Sequence, residues 1–119
     1  LGDGTQKKSY LYIDDCIDAI FCATENFLNG NKRVDVYNVG SSDYITVMKI
    51  AQIVVEEMGL RNPDFIFSGG VNGGRGWRGD VKTMLLSVDK LLRLGWKPRY
   101  GSEDAVRMTV RKLVKEHDR

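Results

Sequence analysis

Apolar residues recur at helical spacing in four stretches of this chain, and the first two stretches have clear end signals. In the first, Asp14 or Asp15 occupies the position of a helix N-cap, and Asn29 with the glycine after it ends the pattern. In the second, Thr46 is a good N-cap residue and Gly59 stands at the C′ position. The apolar faces are Ile17, Ile20, Phe21, Phe27 and Leu28 in the first helix, and Val47, Ile50, Ala51, Val54 and Met58 in the second.

Two further helices are predicted in the C-terminal part of the chain. A short helix follows Ser87 and ends at Gly95, with Pro98 beyond it. The last helix begins at Ser102, where acidic residues in the first turn favour the helix dipole. Its apolar face consists of Val106, Val110, Leu113 and Val114.

Short apolar runs between the helices predict strands. Ser9–Ile13, Val34–Val39 and Asp64–Phe67 have strand composition, and Val34–Val39 is too evenly apolar to have one exposed face. We expect Met84–Leu86 to be buried. These patterns predict a mixed α/β (α+β) fold in which short strands are covered by about four helices. Because strands this short form a poor sheet by themselves, we expect a partner domain to complete the packing.

The most unusual stretch runs from Gly69 to Asp80 and contains six glycines in twelve positions. Backbone so rich in glycine forms neither helix nor strand, and it can approach a bound group closely. Arg75 and Arg78 add planar donor groups suited to phosphate or carboxylate, and Trp77 adds a flat aromatic face. We therefore interpret this stretch as an anion-binding loop; the alternative is a mobile linker.

Three glycines of this loop also satisfy the spacing G-x-G-x-x-G. Gly74, Gly76 and Gly79 match the pattern, which binds dinucleotides only where it joins a strand to a helix N-terminus. The residues that follow are apolar and partly β-branched, and the next helix signal comes only at Ser87. We reject this match as a dinucleotide-binding site.

Composition limits the possible functions. The chain has 119 residues with 42% hydrophobic and 29% charged residues, which predicts one globular domain over residues 1–119. A formal net charge of +2 is too small to indicate nucleic-acid binding, and no apolar run approaches the roughly 18 residues of a membrane span. Cys16 and Cys22 are expected to be reduced thiols of a cytoplasmic protein. The sequence begins at Leu1 without methionine, so we expect either a processed chain or a piece of something larger.

The chain shows no catalytic machinery of its own. His117 is its only histidine and is expected to be solvated near the C-terminus. No group of His, Cys and carboxylate residues has metal-ligand spacing. The pairs formed by Asp14, Asp15 and Asp18 are better explained by helix capping and a polar helix face than by catalysis.

Several motifs together resemble a known enzyme family. Residues 2–15, GDGTQKKSYLYIDD, resemble a signature in the second half of the extended short-chain dehydrogenases, the NAD-dependent nucleotide-sugar epimerases and dehydratases. The resemblance continues in residues 37–40, YNVG, and 45–47, ITV, and then in Gly79-Asp80, Asp89-Lys90 and residues 94–98, LGWKP. The matches follow the family's order over nearly the whole chain.

This resemblance implies the C-terminal substrate-binding part of such an enzyme, with the Rossmann half absent. The family's NAD fingerprint and its catalytic Tyr-x-x-x-Lys would belong to that half, so NAD is expected there and the chain alone is expected to be inactive. The expected partners are a nucleoside-diphosphate sugar and the Rossmann domain, and the parent enzyme is expected to be a homodimer. The face that the Rossmann half would cover is expected to be apolar and to cause association.

The resemblance also implies roles for individual residues. Lys8 aligns with a family arginine that contacts the nucleotide diphosphate, although lysine lacks the bidentate donor geometry. Trp77 stands where the family has a second diphosphate-binding arginine, so Arg75 or Arg78 is expected to reach that phosphate. Asp80 matches a family aspartate that accepts from a ribose hydroxyl or orders the loop. Trp77 either stacks on a base or sugar or fills the junction with the Rossmann half.

Two other functions agree with the same residues. A stand-alone nucleotide- or phosphate-binding module would use the same loop without catalysis. A structural or interaction domain would bind no ligand and would be indifferent to Arg75→Ala and Arg78→Ala.

Overall fold

The structure is a computed structural model, which describes residues 2–31 and 33–117. Within these residues it contains a two-stranded sheet and four helices. The predicted fold class, mixed α/β with short strands and about four helices, is confirmed. In chain order the elements are β1 (Lys7–Lys8), α1 (Ile13–Leu28), β2 (Ile45–Thr46), α2 (Val47–Glu57), α3 (Asp89–Leu92) and α4 (Ser102–His117).

Strand β1 occupies the middle of a small hydrogen-bonded unit. It pairs antiparallel with β2, with Lys7 opposite Thr46 and Lys8 opposite Ile45. On its other side Lys7 forms an isolated parallel bridge to Thr83, and its backbone N–H donates to the Lys82 carbonyl over 2.7 Å. The end of the glycine loop is therefore held directly beside β1.

The strands predicted at 9–13, 34–39 and 64–67 are wrong. The described part of the chain has no paired strand in any of these ranges, and α1 already begins at Ile13. The pairing occurs instead at β1 and β2, which carry no apolar run. Strand composition identifies segments that fit a pleated surface, but a ladder also needs a neighbouring backbone, and these segments have none within the described chain.

The predicted burial of two of these apolar segments is also wrong. Val34 and Val36 are 77% and 72% exposed, although the even apolar pattern predicted a buried strand. The segment Met84–Leu86 is likewise exposed. Apolar patterning identifies segments that favour burial, but no element within residues 2–31 and 33–117 covers these two segments.

Two predicted helix starts are wrong in detail. Neither Asp14 nor Asp15 caps α1, since Tyr12 is the N-cap residue and makes no side-chain cap hydrogen bond. The carboxylate of Asp15 is buried and accepts from Arg99 Nε over 2.7 Å and from the Arg99 backbone N–H over 3.0 Å. Helix α3 begins at Asp89, two residues after the predicted cap at Ser87.

The other helix starts agree with the sequence. Thr46 caps α2 by accepting a hydrogen bond from the Lys49 backbone N–H over 3.1 Å. Helix α4 begins at Ser102, as predicted. The Ser102 backbone N–H donates to Asp43 Oδ1 over 2.9 Å, while its hydroxyl accepts from the Tyr10 backbone N–H over 2.9 Å. Segments far apart in sequence thus meet at the start of α4.

A small core lies between α1, α3 and the turn after α3. Ala19 of α1, Leu91 of α3 and Trp96 are buried against one another. The position of Trp96 follows from the Leu-Gly-Trp sequence after α3, where an apolar side chain anchors the end of the helix. No helix within residues 2–31 and 33–117 is long and apolar enough to cross a membrane.

Candidate functional site

The glycine-rich loop has a defined shape. Val71 and Arg75 exchange two backbone hydrogen bonds of 2.8 and 2.9 Å, which close a tight turn. Asn72, Gly73 and Gly74 between them all have positive φ, at 47°, 81° and 89°. Glycine adopts this region without a steric penalty, which explains the composition of the turn. The loop has the shaped backbone that the sequence analysis predicted.

The N-terminal segment packs against this turn. The Gly2 backbone N–H donates to Ser68 Oγ over 3.1 Å, and the Asp3 N–H donates to the Gly74 carbonyl over 3.1 Å. A Cβ placed on Gly74 would lie 1.7 Å from Asp3 Oδ2, so only glycine allows this approach. Lys82 Nζ closes the other side by donating to the Gly73 carbonyl over 2.6 Å.

Asp80 fixes the end of the loop. Its Oδ1 accepts from Lys8 Nζ over 2.6 Å, and its Oδ2 accepts from the Gly76 backbone N–H over 3.1 Å and from Gln6 Nε2 over 3.3 Å. Hydrogen bonding from Lys8, supported by Gly76, lowers the pKa of Asp80 below its ordinary value of 3.8. The carboxylate is therefore ionised at neutral pH and connects β1 to the loop.

Lys8 uses part of its hydrogen-bonding capacity within the chain. In addition to Asp80, its ammonium donates to the Val81 carbonyl over 2.6 Å. An ammonium carries three protons, so one donor direction is not used by these two contacts. The side chain is about one quarter exposed, which leaves this part of the site accessible.

The two loop arginines differ in the contacts that their side chains make within the described chain. Arg75 Nη1 donates to the Asn72 carbonyl over 2.9 Å and makes no carboxylate contact within the described chain. Arg78 is exposed and has neither a hydrogen bond nor an ion pair to any described residue. Most of the donor capacity of these two guanidinium groups is therefore free for an external anion.

Trp77 lies against the backbone of its own loop. A Cβ placed on Gly79 would lie 2.2 Å from Cζ3 and 2.4 Å from Cη2 of the indole. The side chain is nevertheless 63% exposed. The ring thus has contact on one side and solvent over much of the rest.

The structure brings together Lys8 and Asp80 in direct contact, and it places Arg75, Trp77 and Arg78 on the same loop. Sequence reasoning assigned no role to Gln6 or Lys82, which also hold this loop. Gln6 lies in the family-like G-x-G-x-Q run and is 2% exposed, so that motif was the available signal. For Lys82 the sequence contained no such signal.

A separate cleft of about 540 Å³ lies at the C-terminal end of α1. Two basic side chains line it, and one of them, Lys90, is already engaged, since it pairs with Asp35, donates to the Val36 carbonyl over 2.7 Å and lies 4.2 Å from the Tyr37 ring centre. The cleft therefore offers one guanidinium group, that of Arg93, whereas the glycine loop offers two, so the glycine loop is the better candidate for anion binding. The cleft is lined by Asn26, Phe27, Asn29, Gly30, Asn31, Asp35, Tyr37, Lys90, Arg93 and Leu94.

The glycine match in the loop lacks the surroundings of a dinucleotide-binding site. The loop glycines Gly74, Gly76 and Gly79 lead to the bridge at Thr83, and the next helix begins only at Asp89. This agrees with the rejection of the fingerprint, because no helix N-terminus follows the glycines to receive a pyrophosphate.

Within residues 2–31 and 33–117 no group of three or more His, Cys, Asp or Glu side chains could hold a metal ion. His117 is exposed, as predicted.

The N-terminal third of the chain is similar to one enzyme family. Residues 1–40 match the profile of the NAD dependent epimerase/dehydratase family. The resemblance to the NAD-dependent nucleotide-sugar epimerases and dehydratases, extended short-chain dehydrogenases, is thereby confirmed.

Several proteins that are similar to this chain are nucleotide-sugar epimerases. The UDP-glucose 4-epimerase of Lactobacillus helveticus is 29% identical over 97% of this chain and 33% of its own length. The crystal structure of a UDP-galactose 4-epimerase is 40% identical and superimposes with a TM-score of 0.79 over 93% of this chain and 34% of that chain. The UDP-glucose 4-epimerase of Thermotoga maritima, solved with UDP-glucose, is 26% identical with a TM-score of 0.71, over 98% of this chain and 34% of that one.

The chain spans about a third of the length of the curated relatives it matches. The remaining two thirds of these relatives have no counterpart in the sequence described above.

Proposed function

We propose that this chain is the nucleotide-sugar-binding part of an NAD-dependent nucleoside-diphosphate-sugar epimerase or dehydratase. The observation that carries the proposal is the pair of loop arginines: Arg75 and Arg78 make no carboxylate contact, on a loop whose backbone is fixed from several sides. Guanidinium groups bind phosphate oxygens through paired donors, and here they can do so without breaking an internal carboxylate pair. The fixed backbone of the loop also lowers the ordering cost of binding. UDP-glucose in the Thermotoga maritima relative is a ligand of this class.

In this function Arg75 and Arg78 bind the diphosphate, and Trp77 lies beside the ligand. Lys8 and Asp80 hold the loop in its binding conformation, and the unused proton of Lys8 contributes a further donor toward the phosphate. Holding the diphosphate at a fixed place orients the attached sugar for reaction.

We assign the chemistry itself to the rest of a larger enzyme. The glycine match does not lead directly into a helix, as the dinucleotide fingerprint requires, and NAD would be held by a Rossmann domain outside residues 1–119. That domain would also supply the tyrosine that acts as the base while NAD takes up a hydride. The chain by itself, as a single C-terminal substrate-binding domain, is then inactive.

The surface of α1 supports docking to such a domain. Large apolar side chains follow one another at helical spacing along α1 and are between 43% and 73% exposed. This apolar stripe consists of Ile13, Ile17, Ile20, Phe21 and Leu28. A soluble chain seldom exposes so continuous an apolar surface unless another surface covers it.

The overall dimensions support the same conclusion. The radius of gyration is 17.4 Å, whereas a compact domain of this length has about 13 to 14 Å. One principal extent is only 19 Å, against 55 and 41 Å for the others. A slab this thin leaves apolar faces uncovered, and the Rossmann domain is the partner that we propose for them.

Binding of UDP to the chain, followed by NMR of backbone amides, tests the proposed function. We expect the Gly76 and Arg78 amides to shift on titration with UDP, and the Arg75→Ala/Arg78→Ala double variant to lose at least tenfold in affinity. The matched control is Arg61→Ala/Arg93→Ala, which removes two exposed arginines outside the loop and should leave the affinity unchanged.

Two results would contradict the proposal. Absence of loop shifts with millimolar UDP would contradict ligand binding by the loop. Tight unaided binding by a strictly monomeric chain would instead favour a stand-alone nucleotide-binding module.

A further inference from the structure

The indole of Trp77 lies against a tight turn of its own loop. The Asp80 backbone N–H donates to the Trp77 carbonyl over 3.1 Å, which closes the turn that carries the ring. The ring then occupies the space that a side chain on Gly79 would need. Asp80 is itself fixed by Lys8 and by the Gly76 N–H. The backbone that carries the ring is therefore fixed before any ligand binds, and one part of the ring lies over Gly79.

This arrangement leaves a large aromatic surface in water. Trp77 is 63% exposed, whereas Trp96 is 7% exposed in the core. Covering the ring of Trp77 with another flat group would remove this apolar surface from water, and the fixed backbone of the loop limits the entropic cost of ordering the ring.

The neighbouring charges indicate which flat group fits. Arg78 follows Trp77 directly and has no partner in the described chain, and Arg75 precedes it by two positions. The carboxylate in this loop, Asp80, is already paired with Lys8 and so opposes an anion less. An aromatic face with free guanidinium groups on one short loop suits a ligand that has both a planar ring and phosphates, which describes a nucleotide.

We propose that Trp77 is a stacking platform for the base of the bound nucleoside diphosphate. The base lies on the open face of the indole, and the phosphates extend toward the two arginines. This inference rests on the proposed function, since it names the part of the same ligand that Trp77 receives. It selects base stacking over the other role expected from the sequence, which was filling the junction with the Rossmann domain.

The test compares UDP with inorganic pyrophosphate, which has the charged groups but no base. Tryptophan emission is recorded for the wild type and for Trp77→Phe, whose remaining emission comes from Trp96. We expect UDP to quench the wild type but not Trp77→Phe, and pyrophosphate to bind without quenching.

Affinities measured by NMR provide the second readout. Trp77→Ala should weaken UDP binding about five- to tenfold, the lower range for a base stacked on one ring, and leave pyrophosphate binding unchanged. Trp77→Phe should retain UDP affinity within about twofold because phenylalanine also presents a flat face. Leu113→Ala is the control, since Leu113 is also exposed, at 59%, but lies on α4 outside the loop and the stripe of α1.

The outcomes separate this inference from the proposed function. If UDP binds with loop shifts but Trp77→Ala and the wild type have equal affinity, stacking is overturned and the proposed function stands. If Trp77→Ala instead changes only self-association, the ring fills an interface and stacking is overturned. If neither UDP nor pyrophosphate binds, both proposals are overturned.

Discussion

Lys8 Nζ lies 2.6 Å from Asp80 Oδ1, and this contact joins β1 to the end of the glycine loop across 72 positions of sequence. The same carboxylate accepts from the Gly76 backbone N–H, so one residue links the sheet to the loop. The conformation of the candidate site depends on this link.

Lys8→Ala should loosen the loop without unfolding the chain. Removing the ammonium leaves Asp80 with its Gly76 and Gln6 contacts only, so the Gly76 amide should exchange with solvent at least several times faster. Hydrogen exchange followed by NMR measures this. Lys97→Ala is the control because Lys97 is exposed and has no described partner. Equal protection of Gly76 in both variants would contradict the linking role.

The loop should resist acid until unusually low pH. Hydrogen bonding from Lys8 lowers the pKa of Asp80 below 3.8, so the carboxylate stabilises the folded loop fully above the unfolded-state pKa. That stabilisation is lost as the pH falls through the lowered value. Protection of the Gly76 amide should therefore persist to pH 4 and disappear only below it. Asp80→Asn should abolish this dependence; loss of protection between pH 6 and 5 would contradict it.

Gly79→Ala should displace Trp77. The new methyl group would lie 2.2 Å from the indole, so the ring must move away from the loop backbone. We expect a red shift of Trp77 emission and a weakening of UDP binding similar to that of Trp77→Ala. In the control Gly40→Ala the nearest side-chain atom lies 3.7 Å away, an ordinary contact. An unchanged emission spectrum in Gly79→Ala would show that the ring does not lie against Gly79.

Ser102→Ala should destabilise the chain. Its hydroxyl accepts from the Tyr10 backbone N–H, and Ser102 is 0% exposed, so the substitution leaves that donor without this partner at a buried position. The expected loss is about 1–3 kcal/mol in the free energy of unfolding, measured by urea denaturation. Ser42→Ala at an exposed position should change it by less than about 0.5 kcal/mol. Equal effects of the two substitutions would mean that the α4 junction contributes little.

The apolar stripe of α1 should cause self-association when no Rossmann domain covers it. Ile20→Glu/Phe21→Glu places two charges on this stripe and should shift the chain toward monomer in sedimentation experiments at high concentration. Leu113→Glu is the control, because Leu113 is 59% exposed on α4. A wild-type chain that sediments as a clean monomer would count against the docking surface.

Much of the helical structure could be predicted from local sequence. The predicted N-cap at Thr46 and the predicted helix start at Ser102 agree with the structure because both depend on residues a few positions apart. The strand predictions were wrong because a strand needs a neighbouring backbone to pair with, and composition does not reveal that neighbour. The cap assigned to Asp15 failed because its carboxylate binds Arg99, 84 positions away.

The sequence by itself determined the mixed α/β class, the helix starts at Thr46 and Ser102, the glycine loop with its arginines, and the resemblance to nucleotide-sugar epimerases. These follow from residue spacing and composition within short windows. Only the tertiary structure decided that Asp80 binds Lys8, that Trp77 lies on Gly79, and that the stripe of α1 is uncovered. Long-range contacts depend on which distant segments lie side by side in the fold. A local pattern does not show which of several possible polar partners a side chain binds.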